Sequence, residues 1–139
     1  MNFTYRTLLI LLLFFLLCIS IITPVVAVDP VPPEIKSVSL DTNKVAIGQS
    51  FNISVSATNA TNYVYQWSQN KKEWVNLNKE KTNKTKYSTN FNKNFNPGKY
   101  YLKVIAYGPG GEKTSNVLEI TVLEPPEIKS VSLDTNKVA

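Results

Sequence analysis

The chain has 139 residues, of which 43% are hydrophobic and 18% charged, with 15 basic groups against 10 acidic ones and a formal net charge of +5. That length admits one ordinary domain with short appendages, and the absence of histidine, with Cys18 as the only cysteine, excludes imidazole-assisted catalysis and the common zinc sites. Arg6 is the only arginine, so bidentate phosphate recognition is not supported and nucleic acid is not an expected partner.

Arg6 precedes an apolar run from Leu8 to Ile22, broken only by Ser20. The run is about the length of a signal-peptide core and falls short of the roughly 20 residues of a spanning helix. Thr23 and Pro24 end it, and Val25-Val26-Ala27 supplies residues suited to cleavage after Ala27. Residues 1–27 therefore read as a signal peptide that forms a hydrophobic helix. The alternative is an uncleaved transmembrane anchor from Thr7 to Val28, the only membrane contact then expected. Either way the remainder is exported, secreted or on the cell surface. Cys18 lies inside the apolar run behind the large Leu17, which disfavours a lipid anchor, and the exported part has no disulfide to hold it. Residues 28–33, with Pro30, Pro32 and Pro33, form a stiff lead-in.

From Glu34 onward the period is two, the mark of strands. A first strand is predicted near Ile35–Leu40, then a turn at Gly48. Phe51, Ile53, Val55 and Ala57 next point one way, with Asn52, Ser54, Ser56 and Thr58 on the other face. A third strand carries Tyr63, Tyr65 and Trp67 inward, and a fourth passes through Trp74 to Leu77. Residues 78–86, rich in lysine and asparagine, read as an exposed loop. Tyr87–Phe91 follows, then Phe95 and a turn at Asn96-Pro97-Gly98. Tyr100, Leu102, Val104 and Ala106 line one face of the next strand. Gly108-Pro109-Gly110-Gly111 is a hairpin turn, and Leu118, Ile120 and Val122 close the unit. The expectation is an all-β fold over 34–123, an immunoglobulin/fibronectin-III-like sandwich of about seven strands. Trp67 is its predicted core plug, and Tyr100 its tyrosine corner.

Residues 32–46 read PPEIKSVSLDTNKVA, and residues 125–139 repeat those fifteen letters at an offset of 125 − 32 = 93. Such identity requires duplication of a 93-residue unit. Residues 124–139 are thus expected to be a linker and the first strand of a second module in a longer tandem array. Neighbouring modules are the expected partners.

Tyr63-x-Tyr65, Trp74 eleven residues after Tyr63, Tyr87-Ser88-Thr89-Asn90 and Pro97-Gly98-x-Tyr100 together resemble the triple-tyrosine repeat. The resemblance covers about residues 34–123. It implies an immunoglobulin/fibronectin-like accessory module, of the kind found in bacterial surface proteins, cell-wall amidases and sensor ectodomains of two-component regulators. It implies no reaction. Gln69 and Lys71 stand where that family often has glycine and aspartate.

The acids of the module (Glu34, Asp41, Glu73, Glu80, Glu112, Glu119, Glu124) fall at predicted turns or edges without a facing pair, so neither catalysis nor a cofactor is expected. Oxygens of Asp41, Asn43 and Glu124 could attract calcium, but Asp41 and Asn43 are better read as turn residues. Between Lys71 and Lys99 eight lysines face only Glu73 and Glu80. Lys71, Lys72, Lys79, Lys81, Lys84 and Lys86 are therefore a candidate basic face for anionic cell-wall polymer or acidic glycan. The plainer reading is a solvated loop and edge strand. Asn52, Asn59 and Asn83 head N-glycosylation sequons. The sequence favours a spacer or stalk module, with a polymer-binding module and a sensor ectodomain as alternatives.

Overall fold

Alternating apolar and polar residues give each strand from Glu34 onward one face to bury, and two sheets meet over those faces. The computed structural model describes residues 3–19 and 24–127, among which there are one helix and nine strands. The helix, α1 (Phe3–Ile19), is apolar on all sides, and its large side chains from Tyr5 to Phe15 are each more than half exposed. Among the described residues no helix is long and apolar enough to cross a membrane. Residues 20–23 of the predicted leader and the predicted strand beyond Glu127 lie outside the described residues.

The first sheet has the order β1 (Glu34–Leu40), β3 (Ser50–Thr58), β6 (Lys86–Asn90). Both neighbours run antiparallel to β3, with Val38 opposite Val55 and Ile53 opposite Tyr87. A bulge between Ile35 and Ser37 shifts the register at Lys36. The second sheet has the order β2 (Lys44–Ala46), β9 (Leu118–Leu123), β7 (Gly98–Gly108), β4 (Asn62–Ser68), β5 (Val75–Asn76). A short strand, β8 (Gly111–Thr114), pairs with the far half of β7.

Two features depart from the sequence expectation. The chain changes sheets at Asp41–Asn43, where only a turn was predicted, and β2 then lies parallel to β9 with Val45 opposite Val122. Asp41 pins the crossing: its carboxylate accepts from the Asn52 backbone N–H at 2.9 Å and from Asn52 Nδ2 at 2.8 Å. Those two donors, the backbone one foremost, hold the Asp41 carboxyl below its ordinary value. The last strand is also split. Ser115 interrupts it by bonding Val104 twice, its N–H donating to the Val104 carbonyl and its Oγ accepting from the Val104 N–H, both at 2.8 Å.

The core lies between the sheets. Phe51, Ile53 and Val55 come from β3, Tyr63 and Tyr65 from β4, Tyr100, Leu102, Val104 and Ala106 from β7, and Ile120 and Val122 from β9, all buried as the alternation predicts. Val45 and Phe91 join them. Each fully buried aliphatic or aromatic side chain contributes about 1.5–3 kcal/mol relative to exposure, which is how a sandwich without disulfides holds together. Three strands facing six, with β3 and β6 in one sheet and β4, β7 and β9 in the other, make an immunoglobulin/fibronectin type-III-like sandwich.

Candidate interaction surface

Tyr65 marks the middle of the sandwich, fully buried on β4 and stacked on Tyr87 of β6 with ring centroids 4.8 Å apart. Both hydroxyls reach past the core to one segment. Tyr65 donates to the Lys84 carbonyl at 2.6 Å, and Tyr87 to the Leu77 carbonyl at 3.2 Å. Burial pushes the Tyr65 hydroxyl far above its ordinary value, with the nearby Tyr63 adding to the effect. Between those anchors sits Asn78, buried. Its Oδ1 accepts from the Tyr65 N–H at 2.8 Å, while Nδ2 donates to the Tyr63 carbonyl at 3.1 Å and the Glu80 carbonyl at 2.7 Å. The lysine-rich stretch is therefore a strap clamped along β4, closed by paired backbone bonds between Tyr63 and Thr82.

Trp67 is partly buried rather than central, near the end of β4 against Phe95 at 4.9 Å and Tyr100 at 5.8 Å between ring centroids. Tyr100 donates its hydroxyl to the Asn96 carbonyl at 2.7 Å, across the turn of Pro97 and Gly98, and Gly98 there adopts a φ of +146°. Trp74 lies elsewhere, on the outer side of the second sheet, with Nε1 donating to the Lys71 carbonyl at 3.3 Å. Of the eight sequence-singled residues, Tyr63, Tyr65, Trp67, Tyr87 and Tyr100 belong to the core and its edge, Pro97 and Gly98 to a turn, and Trp74 to the surface.

That outer surface has its own order. The outward positions of β7 carry Tyr101, Lys103 and Tyr107, and an ammonium sits over each nearby ring: Lys71 over Tyr101 at 4.6 Å, Lys103 over Trp74 at 4.1 Å, Lys81 over Tyr107 at 3.6 Å. Burial, and then the Glu112 carboxylate, raise the Tyr107 hydroxyl above its ordinary value. Lys71 and Lys72 are positioned by the turn after β4, where Ser68 Oγ accepts from the Lys71 N–H and Asn70 Oδ1 from the Lys72 N–H, both at 2.9 Å. Of the six candidate lysines, Lys71 and Lys81 thus share this face, at opposite ends of β7. Lys72, Lys79 and Lys84 are exposed, and Lys86 belongs to the edge strand of the other sheet. Among the described residues none of the six forms an ion pair. Lys103, Tyr101 and Tyr107 escaped the sequence reading because they occupy the polar-facing half of a strand recognised by its buried half.

A depression of about 140 Å³ beside the β4–β5 turn, lined by Trp67, Gln69, Asn70, Glu73 and Val75, is smaller than the roughly 300–1,000 Å³ of small-molecule sites. Asp41 is engaged with Asn52, and among the described residues no cluster of three carboxylate, thiol or imidazole groups could hold a metal ion.

No family model matches the chain, and no curated protein matches it significantly. Solved fibronectin type-III domains are similar to it. One, from the human fibronectin type III domain containing protein 3, is 18% identical with a TM-score of 0.48, over 78% of this chain and 100% of that one. Another, a fourth such domain from a human protein, is also 18% identical with a TM-score of 0.48, over 81% and 92%. The FN1–FN3 domains of chicken CNTN1 are 18% identical with a TM-score of 0.47, over 75% and 37%. The sandwich is assigned by its own strand order.

Proposed function

We propose that this chain is an exported, non-catalytic spacer module of a tandem-repeat surface protein, with its N-terminal segment serving as a signal peptide over residues 1–27. The observation that carries the reading is the fifteen-residue identity at an offset of 93, whose second copy begins at Pro125, two residues after β9 ends at Leu123. A unit that ends where its duplicate begins is built for serial extension. The lack of histidine and the capture of Asp41 in a structural clamp support a module without chemistry of its own. Counting modules in the mature protein from its native host tests the reading, with several copies expected; a lone module as the mature product sinks it. N-terminal sequencing of the exported form is expected to start at Val28, whereas retention of residues 1–27 makes α1 part of an anchor.

A second reading rests on the outer face of β7. Lysines held over aromatic rings present positive charge on a flat surface, a chemistry matched to anionic wall polymer or acidic glycan. Retention on purified wall polymer that disappears in high salt and in the Lys71→Ala, Lys81→Ala, Lys103→Ala triple variant supports it. Retention indifferent to both removes it.

A further inference from the structure

The lead-in before β1 is seated on the sandwich, not loosely attached to it. Pro33 is buried. A Cβ placed on Gly110 would collide with the Val31 carbonyl and stand 2.7 Å from the Pro30 carbonyl oxygen. A Cβ on Gly108 would collide with the Asn59 carbonyl oxygen and meet Pro33 Cγ at 3.3 Å. Two glycines of the β7–β8 hairpin and the corner at Asn59, which takes a φ of +58°, therefore form a socket through which the incoming backbone passes from Pro30 to Pro33.

At the opposite pole β9 is ordered to its last residue. Leu123 pairs with Ala46, and its carbonyl accepts from the Ile47 N–H at 3.0 Å. The repeat offset of 93 makes Leu123 and Glu124 the counterparts of Pro30 and Val31, and Pro126 the counterpart of the buried Pro33. The socket contacts at Pro30 and Val31 run through backbone carbonyls, so the exchange of Pro-Val for Leu-Glu leaves them intact. Leu123 is thereby asked to be the last rung of one module and the first socket contact of the next.

We propose that the pole formed by Asn59 and the Gly108–Gly111 hairpin is the docking surface for the strand end of the preceding module, and that successive modules abut with no free linker. This rests on the tandem reading above. Domains joined in series ordinarily move relative to one another when little surface is shared; here the shared residue removes the slack such motion requires. The glycines are then a steric requirement of the joint as well as of the hairpin.

The test extends the full chain after Ala139 with a second copy of residues 47–123, completing two modules, and measures NMR tumbling and the small-angle scattering profile. The expected result is one elongated body, both modules sharing the correlation time of the pair. Inserting Gly-Ser-Gly-Ser between Leu123 and Glu124, which leaves both modules' own sequences intact, is expected to drop each module towards the single-module value. Independent tumbling before the insertion, or no change after it, overturns the proposal. In the original chain, Gly110→Val is expected to abolish protection of the Val31 region against proteolysis while the core amides stay protected. Undiminished protection there also overturns it. A pair that tumbles as one body in a protein whose reach does not depend on module number keeps the joint and discards the spacer role.

Discussion

The inner and outer aromatic residues of this sandwich belong to the same chemical types and are used in opposite ways. Inside, Tyr65, Tyr87 and Tyr100 bury their rings and spend their hydroxyls on backbone carbonyls, so that each ring fixes a loop to the core. Outside, Tyr101, Tyr107 and Trp74 lie on the sheet and offer their faces to lysines. The difference teaches that the polar tip decides an inner tyrosine's role, while the π-face decides an outer one's. An inner substitution should therefore be read in global stability. An outer one should be read in charge placement.

The sharpest break in that contrast is Tyr65→Ala, expected to cost about 3–5 kcal/mol as a core truncation, whereas Tyr107→Ala should cost about 1 kcal/mol or less. Urea denaturation of the two variants measures the gap, and equal losses would erase the distinction. Next in size is Asn78→Ala, which strips three hydrogen bonds from a buried position and is expected to cost about 2–3 kcal/mol. Amide exchange at Leu77 and Thr82 should accelerate with it, because both amides donate to β4 carbonyls beneath the strap.

Alkaline pH cuts across the two classes. The Tyr65 hydroxyl titrates above its ordinary value when folded, so its neutral form stabilises the fold fully below about pH 10, and that contribution is lost as pH rises beyond it. Stability should fall steadily above about pH 10, and Tyr65→Phe, costing about 1 kcal/mol at neutral pH, should flatten the fall. Tyr107 is shifted the same way, so Tyr107→Phe removes a further part of the slope. The smallest effect belongs to Lys103→Met, expected to cost about 0.5–1 kcal/mol. A double-mutant cycle with Trp74→Leu isolates that coupling.

Long strands with one buried face were legible in the sequence. The alternation over Phe51–Ala57, Tyr100–Ala106 and Leu118–Val122 already names the residues that pack together, because a period of two has no other cheap solution. Short elements were not. β2 has three residues, too few for a period, and Val45 stands buried behind a turn-like Asp-Thr-Asn. The strap was read as loop because Asn78 is one asparagine among many, and only its position opposite the Tyr63–Tyr65 backbone makes it a clamp. Trp67 shows the limit of residue type as a guide. Its inward parity was legible, but its place near the strand end leaves it partly exposed while Tyr65 takes the centre.

The parallel pairing of β2 with β9 has a mechanical consequence. Both strands point towards the pole where Leu123 leaves, and they are tied by the Ile47–Leu123 and Thr121–Asn43 backbone bonds at 3.0 and 2.8 Å. In the proposed array, tension would reach β2 from its start, through β1 and the Asp41–Asn43 crossing, and would pull β9 at its end. That geometry loads the rungs together in shear, across their length, instead of unzipping them one at a time. Three residues that look like a detour between sheets would then set how hard the array can be pulled before a module gives way.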